Sequence, residues 1–222
     1  MELKEVVRDV IKKPQTIAII ADADIGKSML GYNLMNIISS VFDFDLYTFG
    51  LRVDIPGETK ISSVDELEAA RNKFIFADEF DNLFDLTDRH NKKGVERSLR
   101  LLYHNNNTLI LSGLPRNYPK FLSACVNKFI FLSCSHSDFI NGSVAKRVLK
   151  NYHGYENGST KLNLKKGEGI YFDDKHYKKF EFPYLKAYDT KLSNKPIFSI
   201  KKSVEENVEE KMPEFRGGSH GN

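Results

Sequence analysis

Short apolar runs bounded by turn residues alternate with longer amphipathic stretches from Thr16 to about Asn151. The apolar runs near Thr16–Ile20, Asp45–Gly50, Lys73–Ala77, Thr108–Ser112 and Lys128–Leu132 read as strands, being brief and rich in β-branched and aromatic residues. The segments near Lys27–Val41, Ser63–Ala70, Lys93–His104, Tyr118–Val126 and Asp138–Asn151 read as helices. Such alternation predicts an α/β core over residues 14–151, a mostly parallel sheet with helices on both faces. A helical segment over 1–13 precedes it. After the turn-rich Gly154–Ser159, two strand candidates, Gly169–Phe172 and Lys178–Pro183, predict a C-terminal β-hairpin within an extension over 152–190. The tail, 191–222, has too few apolar groups to pack alone and is expected to be partly disordered. Phe42 and Phe44, and then Tyr47 and Phe49, are each spaced by two, which fits strand packing.

Composition narrows the class. With 222 residues and 41% hydrophobic content, the chain can bury one α/β core. Cys125 and Cys134 lack metal spacing and form no Cys-x-x-Cys, so free thiols in a reducing compartment are expected. No window reaches the roughly 18 apolar residues of a membrane span, and the acid-containing Met1–Glu5 is no signal peptide. A cytoplasmic protein is expected. The net charge of +3 is too mild to announce nucleic acid. Between Val144 and Phe180, however, basic residues outnumber acids, leaving either a phosphate-facing zone or a solvated lysine-rich surface.

The chemistry concentrates where the first strand ends. Ala21-Asp22-Ala23-Asp24-Ile25-Gly26-Lys27-Ser28 joins Ile17–Ile20 to a helix-like segment opening at Met29. A loop of this kind cradles a triphosphate with backbone N–H groups at a helix N-terminus. Lys27 would reach the outer phosphates and the Ser28 hydroxyl would ligate Mg²⁺. It departs from G-x-x-x-x-G-K-[ST] at Ala21, and Asp22 and Asp24 add negative charge beside an anionic ligand.

A second motif follows at Phe74-Ile75-Phe76-Ala77-Asp78-Glu79, an apolar strand ending in two carboxylates. It reads as a Walker B strand. Asp78 would hold Mg²⁺ through water, and Glu79 would orient and deprotonate the water attacking the γ-phosphate. Together the two motifs predict a P-loop NTPase core of the RecA/ASCE kind, with Thr108–Ser112 as the strand inserted between the P-loop and Walker B strands.

The block from Leu111-Ser112-Gly113-Leu114-Pro115-Arg116 through Leu122-Ser123-Ala124-Cys125 to Lys128-Phe129-Ile130-Phe131 resembles that of the FtsK–HerA superfamily of DNA-pumping ATPases. Size and the closing hairpin Gly167–Phe172 with Lys179–Phe182 resemble, within it, the genome-packaging NTPases of tailless, membrane-containing viruses, archaeal ones included. The resemblance spans roughly residues 14–183. It implies Mg²⁺-dependent ATP hydrolysis, a homo-oligomeric ring such as a hexamer, non-sequence-specific contact with double-stranded DNA, and procapsid or membrane-vertex partners. It also implies host-cytoplasmic and virion-associated location. The family's γ-phosphate-sensing glutamine falls at Gly113, leaving Ser112, or Arg116 three residues beyond Gly113, as the candidate substitute. The arginine that enters a neighbour's site is absent at His104-Asn105-Asn106-Asn107; Arg100 is the nearest substitute, with Arg97 and Arg89 behind it.

Rival readings remain at this level. The same blocks allow a conjugation or filamentous-phage assembly ATPase, and the loop departures fit a nucleotide-binding scaffold without significant turnover. Retention of both Asp78 and Glu79 argues against the scaffold, because a pure binding module needs no base beyond the metal carboxylate.

Overall fold

The chain's most apolar runs form the middle of its sheet. In the computed structural model the described residues are 2–41, 45–50, 57–80, 92–115, 118, 120–134, 144–149, 162, 164–173 and 175–184. In chain order the elements are α1 (Leu3–Ile11), β1 (Thr16–Ile20), α2 (Lys27–Val41), β2 (Leu46–Phe49), β3 (Glu58–Lys60), α3 (Val64–Ala69), β4 (Phe74–Ala77), α4 (Lys92–His104), β5 (Thr108–Gly113), β6 (Lys128–Phe131), α5 (Val144–Leu149), β7 (Glu168–Phe172) and β8 (Tyr177–Glu181), with a 3-10 turn at Lys120–Ala124. The sheet order is β3-β2-β4-β5-β1-β6-β7-β8. The first six in that order are parallel, and β7 and β8 close the end antiparallel. The mostly parallel sheet with a C-terminal hairpin is the architecture that the pattern predicts.

Every residue of β1, β4 and β5 is buried, as strands covered on both faces require. On one face Ala18, Ile20, Ile75, Ala77, Leu109 and Leu111 pack with Leu67 of α3, Leu99 and Leu102 of α4, and Leu149 of α5. The alternate residues point the other way. There α2 crosses Phe76, and Gly31 lets it come close: a Cβ at that position would lie 2.0 Å from the ring's Cζ. Because α2 begins at Lys27, this packing fixes where the loop before it stands.

α1 packs on α2 through a buried face of Leu3, Val6, Val7 and Val10, and a Glu2/Glu5 capping box satisfies its first turn. Asp9 on its other side accepts hydrogen bonds from Lys128 Nζ and the Tyr171 hydroxyl, tying the helix to β6 and β7.

Two elements differ from expectation. Tyr118–Val126 forms only the 3-10 turn, because Pro119 disfavours helical geometry at Tyr118 and supplies no N–H. β3 was not expected at all. It is a short, largely exposed edge strand with no apolar alternation, held beside β2 and continued by Ile61 N–H donating to the Thr48 carbonyl at 2.7 Å. Of the helix expected over Asp138–Asn151, Val144–Leu149 is described. Residues 152–161 and the tail over 191–222 lie outside the described residues.

Candidate functional site

Parallel pairing brings the C-terminal ends of β2, β4, β5, β1 and β6 to one edge, where open α/β sheets bind their ligands. The register sets Ala77 beside Leu111, Gly113 beside Ile20, and Ile20 beside Phe131. The segments that leave these ends, at Asp78, Ala21 and Leu132, are therefore neighbours. β5 lies between β1 and β4, the inserted position expected for it.

Ala21 leaves β1 with its N–H donating to the Gly113 carbonyl at 3.4 Å. Past Asp22 and the exposed Ala23, the loop turns through positive φ at Asp24 (58°) and Gly26 (105°), with Ile25 half-buried between them. The Gly26 carbonyl accepts from Leu30 N–H at 2.9 Å and opens α2. Lys27 is 9% exposed, and its ammonium donates to the carbonyls of Ala21 at 3.1 Å and Asp22 at 2.8 Å. Burial holds the Lys27 pKa below its ordinary value, while Asp78, Glu79, Asp22 and Asp24 pull it back up. The loop lysine thus lies within electrostatic reach of Asp78 and Glu79. Ser28 and the buried Met29 follow in the first turn of α2.

The loop is also held from β6. Asp22 N–H donates to Ser133 Oγ at 2.8 Å, and the Ser133 hydroxyl donates to Asp22 Oδ2 at 3.0 Å. No sequence signal pointed to Ser133. The aspartate that looked out of place in a phosphate loop has a structural partner.

Across the edge, Asp78 follows β4, 8% exposed, with its N–H on the Phe49 carbonyl at 2.9 Å. Ser112 is fully buried; its hydroxyl donates to Asp78 Oδ1 and accepts the Glu79 N–H at 3.2 Å. The predicted sensor is thus bonded to the Asp78 carboxylate and the Glu79 backbone. Glu79 is exposed and adopts φ 46°, a left-handed conformation uncommon for non-glycine residues.

Gly113 has no room for the glutamine that the sequence resemblance expects there. A Cβ there would lie 2.8 Å from Tyr118 Cε2 and 3.3 Å from the Phe80 ring. Those rings are 4.7 Å apart, and the Tyr118 hydroxyl donates to the Leu111 carbonyl at 3.0 Å. Phe80 is buried core.

Arg97 and Arg100 are exposed on α4, where they line a surface groove of about 570 Å³ with Lys93, Glu96, Leu101 and His104. Arg100 lies near Cys125, Thr16 and Asn127, the last two of which begin β1 and precede β6, respectively. Arg100 therefore stands at the opposite end of the strands from Lys27 and Asp78. Arg89 and Arg116 lie outside the described residues. In the basic zone Lys165, Lys166, Lys175, Lys178 and Lys179 are exposed; Lys179 pairs with Glu168 at 2.9 Å and Lys178 with Asp173 at 3.7 Å.

No protein-family model matches the sequence, and no curated protein matches it. Solved structures do. The genome-packaging NTPase B204 of Sulfolobus turreted icosahedral virus 2, in complex with sulfate, superposes with a TM-score of 0.55 at 11% identity over 78% of this chain and 98% of that one. The same protein with AMPPCP gives 0.54 at 10%, over 78% and 99%. B204 of Sulfolobus turreted icosahedral virus, a DNA-packaging ATPase, gives 0.55 at 11%, over 78% and 100%. The fold is that of a P-loop NTPase. Among the described residues no helix is long and apolar enough to cross a membrane.

The donor set at the edge fits Mg²⁺. Ser28 and Asp78 offer hard oxygen ligands, and this ion takes one or two protein oxygens with substrate phosphates and water. Among the described residues no group of three or more His, Cys, Asp or Glu converges to hold a metal, so an ion here would draw its remaining ligands from nucleotide and solvent.

Proposed function

We propose that the chain is an ATP-hydrolysing translocase of double-stranded DNA, a viral genome-packaging NTPase that acts as a homo-oligomeric ring. The observation that carries this reading is the convergence of Lys27, Asp78, Glu79 and Ser112 on the sheet edge of a fold that superposes on B204.

In this reading the loop N–H groups and Lys27 bind the triphosphate. Ser28 and Asp78 would hold the Mg²⁺ that neutralises charge on the phosphates. Glu79, one residue beyond, orients the attacking water and takes its proton. Ser112 fixes the carboxylate of Asp78 and the backbone of Glu79 so that the pair is preorganised. An arginine from a neighbouring subunit supplies the remaining positive charge. Exposed lysines contact the phosphate backbone without reading sequence, which makes DNA affinity fall with salt.

Steady-state ATP hydrolysis with and without duplex DNA tests the reading, wild type beside Lys27→Ala and Glu79→Gln. Turnover that rises with DNA and vanishes in both variants supports the motor. Tight ATP binding without turnover, with DNA and at ring-forming concentration, supports the scaffold instead.

A further inference from the structure

The polypeptide after β8 returns to the phosphate loop. Phe182 N–H donates to the Gly167 carbonyl at 2.8 Å, and Asn33 of α2 donates through Nδ2 to the Pro183 carbonyl at 3.1 Å. These bonds pin the segment across the start of α2 and bring Tyr184 to Gly26. A Cβ on Gly26 would lie 3.0 Å from Tyr184 Cε2 and 3.2 Å from its Cδ2. Gly26 is thus required twice, by its φ of 105° and by the ring beside it. Lys166 Nζ stands 5.3 Å from the ring centroid, and Tyr184 Cβ would lie 3.2 Å from a Cβ on Gly167. Held on three sides yet half-buried, the ring is a fixed aromatic surface at the rim of the loop.

A triphosphate cradled over residues 22–28 leaves its ribose and base projecting from that rim. We propose that Tyr184 is the platform on which the nucleobase stacks, with Lys166 adding positive charge beside the anionic ligand, an assignment that stands on the nucleotide reading of the loop. Stacking uses the π-face that every base carries, so the subsite favours nucleosides over bare phosphate and discriminates weakly among bases. Tyr184 has two rotatable side-chain torsions and is already pinned, so little entropy is lost when a base settles on it.

The full chain contains no tryptophan, so Tyr184→Trp installs a single reporter at the subsite. Titration with ATP, GTP and inorganic tripolyphosphate, followed by emission and by calorimetry, makes the test. The expected result is quenching by both nucleotides and none by tripolyphosphate. Tyr184→Leu, which keeps apolar volume against Gly26, should weaken ATP binding about tenfold or more and leave tripolyphosphate binding unchanged. Emission that ignores ATP while calorimetry records its binding overturns the proposal, as does a Leu variant that loses ATP and tripolyphosphate alike, since Tyr184 would then only shape the loop. Wild type that binds neither ligand overturns the phosphate-site reading beneath it.

Discussion

The Ser112 hydroxyl donates to Asp78 Oδ1 while accepting the Glu79 N–H at 3.2 Å, so one buried serine holds both residues that follow β4. Its single proton is committed to a carboxylate, which makes Ser112 a positioning residue. Removing such a support typically costs about 10–100-fold in activity or metal affinity. Ser112→Ala should lower kcat by that order and raise the Mg²⁺ concentration needed for half-maximal rate, with ATP affinity in EDTA unchanged. Ser112→Thr keeps the hydroxyl and should recover most of the loss. Equal damage to metal-free ATP binding would indicate a direct phosphate contact.

Asp22 places a carboxylate beside the proposed triphosphate site, yet its Oδ2 is bonded to Ser133. Asp22→Asn keeps an acceptor for Ser133 and removes the charge. At this half-buried site the change should tighten ATP binding about two- to fivefold, the value of a screened charge pair. Salt titration separates charge from shape: the gain should shrink as ionic strength rises well above ~0.15 M.

Gly113 faces the Phe80 and Tyr118 rings with no space for a methyl group. Gly113→Ala should therefore destabilise by about 1–3 kcal/mol through overpacking, seen as a lower Tm. Gly113→Gln, which restores the residue the resemblance expects, should cost at least as much and raise no turnover.

Asp9 links α1 to β6 and β7. Burial works to raise its pKa, but hydrogen bonds from Lys128 and Tyr171, with the Lys128 charge, outweigh it and hold the carboxyl below its ordinary value. A depressed folded pKa stabilises above the unfolded value of about 3.9, and that stabilisation is lost as pH falls through the folded one. Asp9→Asn should thus cost on the order of 1 kcal/mol at pH 7, solvent screening trimming the usual charge-assisted bond. In urea melts the gap from wild type should narrow toward pH 2. A gap independent of pH would mean that shape, not charge, makes the contact.

What the sequence disclosed and what it hid divide along physical lines. Thr16–Ile20 and Phe74–Ala77 were legible because strands buried on both faces must be continuously apolar. The places of Lys27, Asp78 and Glu79 just beyond strand ends were legible because the proposed chemistry calls for fixed types at fixed offsets from a strand end. β3 was not, since Glu58–Lys60 takes its strand geometry from pairing with β2. Ser133 and Tyr184 were hidden for a related reason: each reaches the loop from a distant element, and a lone serine or tyrosine carries no local pattern.

Arg100 and Lys27 stand at opposite ends of the sheet, a relationship that decides how the arginine can act. β1 alone has five residues, so its two ends are roughly 16 Å apart at about 3.3 Å each, beyond an arginine's reach within one subunit. If Arg100 completes an active site, that site belongs to a neighbour. Arg100→Ala should then cut turnover about a thousandfold while leaving ATP affinity intact, the size expected of an arginine supplied in trans. Mixing makes the test sharper. Subunits carrying Arg100→Ala keep a working loop, and subunits carrying Lys27→Ala keep the arginine; each is inactive alone. Combined in one ring, the first should regain turnover wherever the second sits on the correct side. Recovery with this pair but not with Arg100→Ala plus a Lys27→Ala/Arg100→Ala double variant assigns the residue. No recovery, in rings shown by sedimentation to be mixed, removes Arg100 and moves the assignment to Arg97 or Arg89.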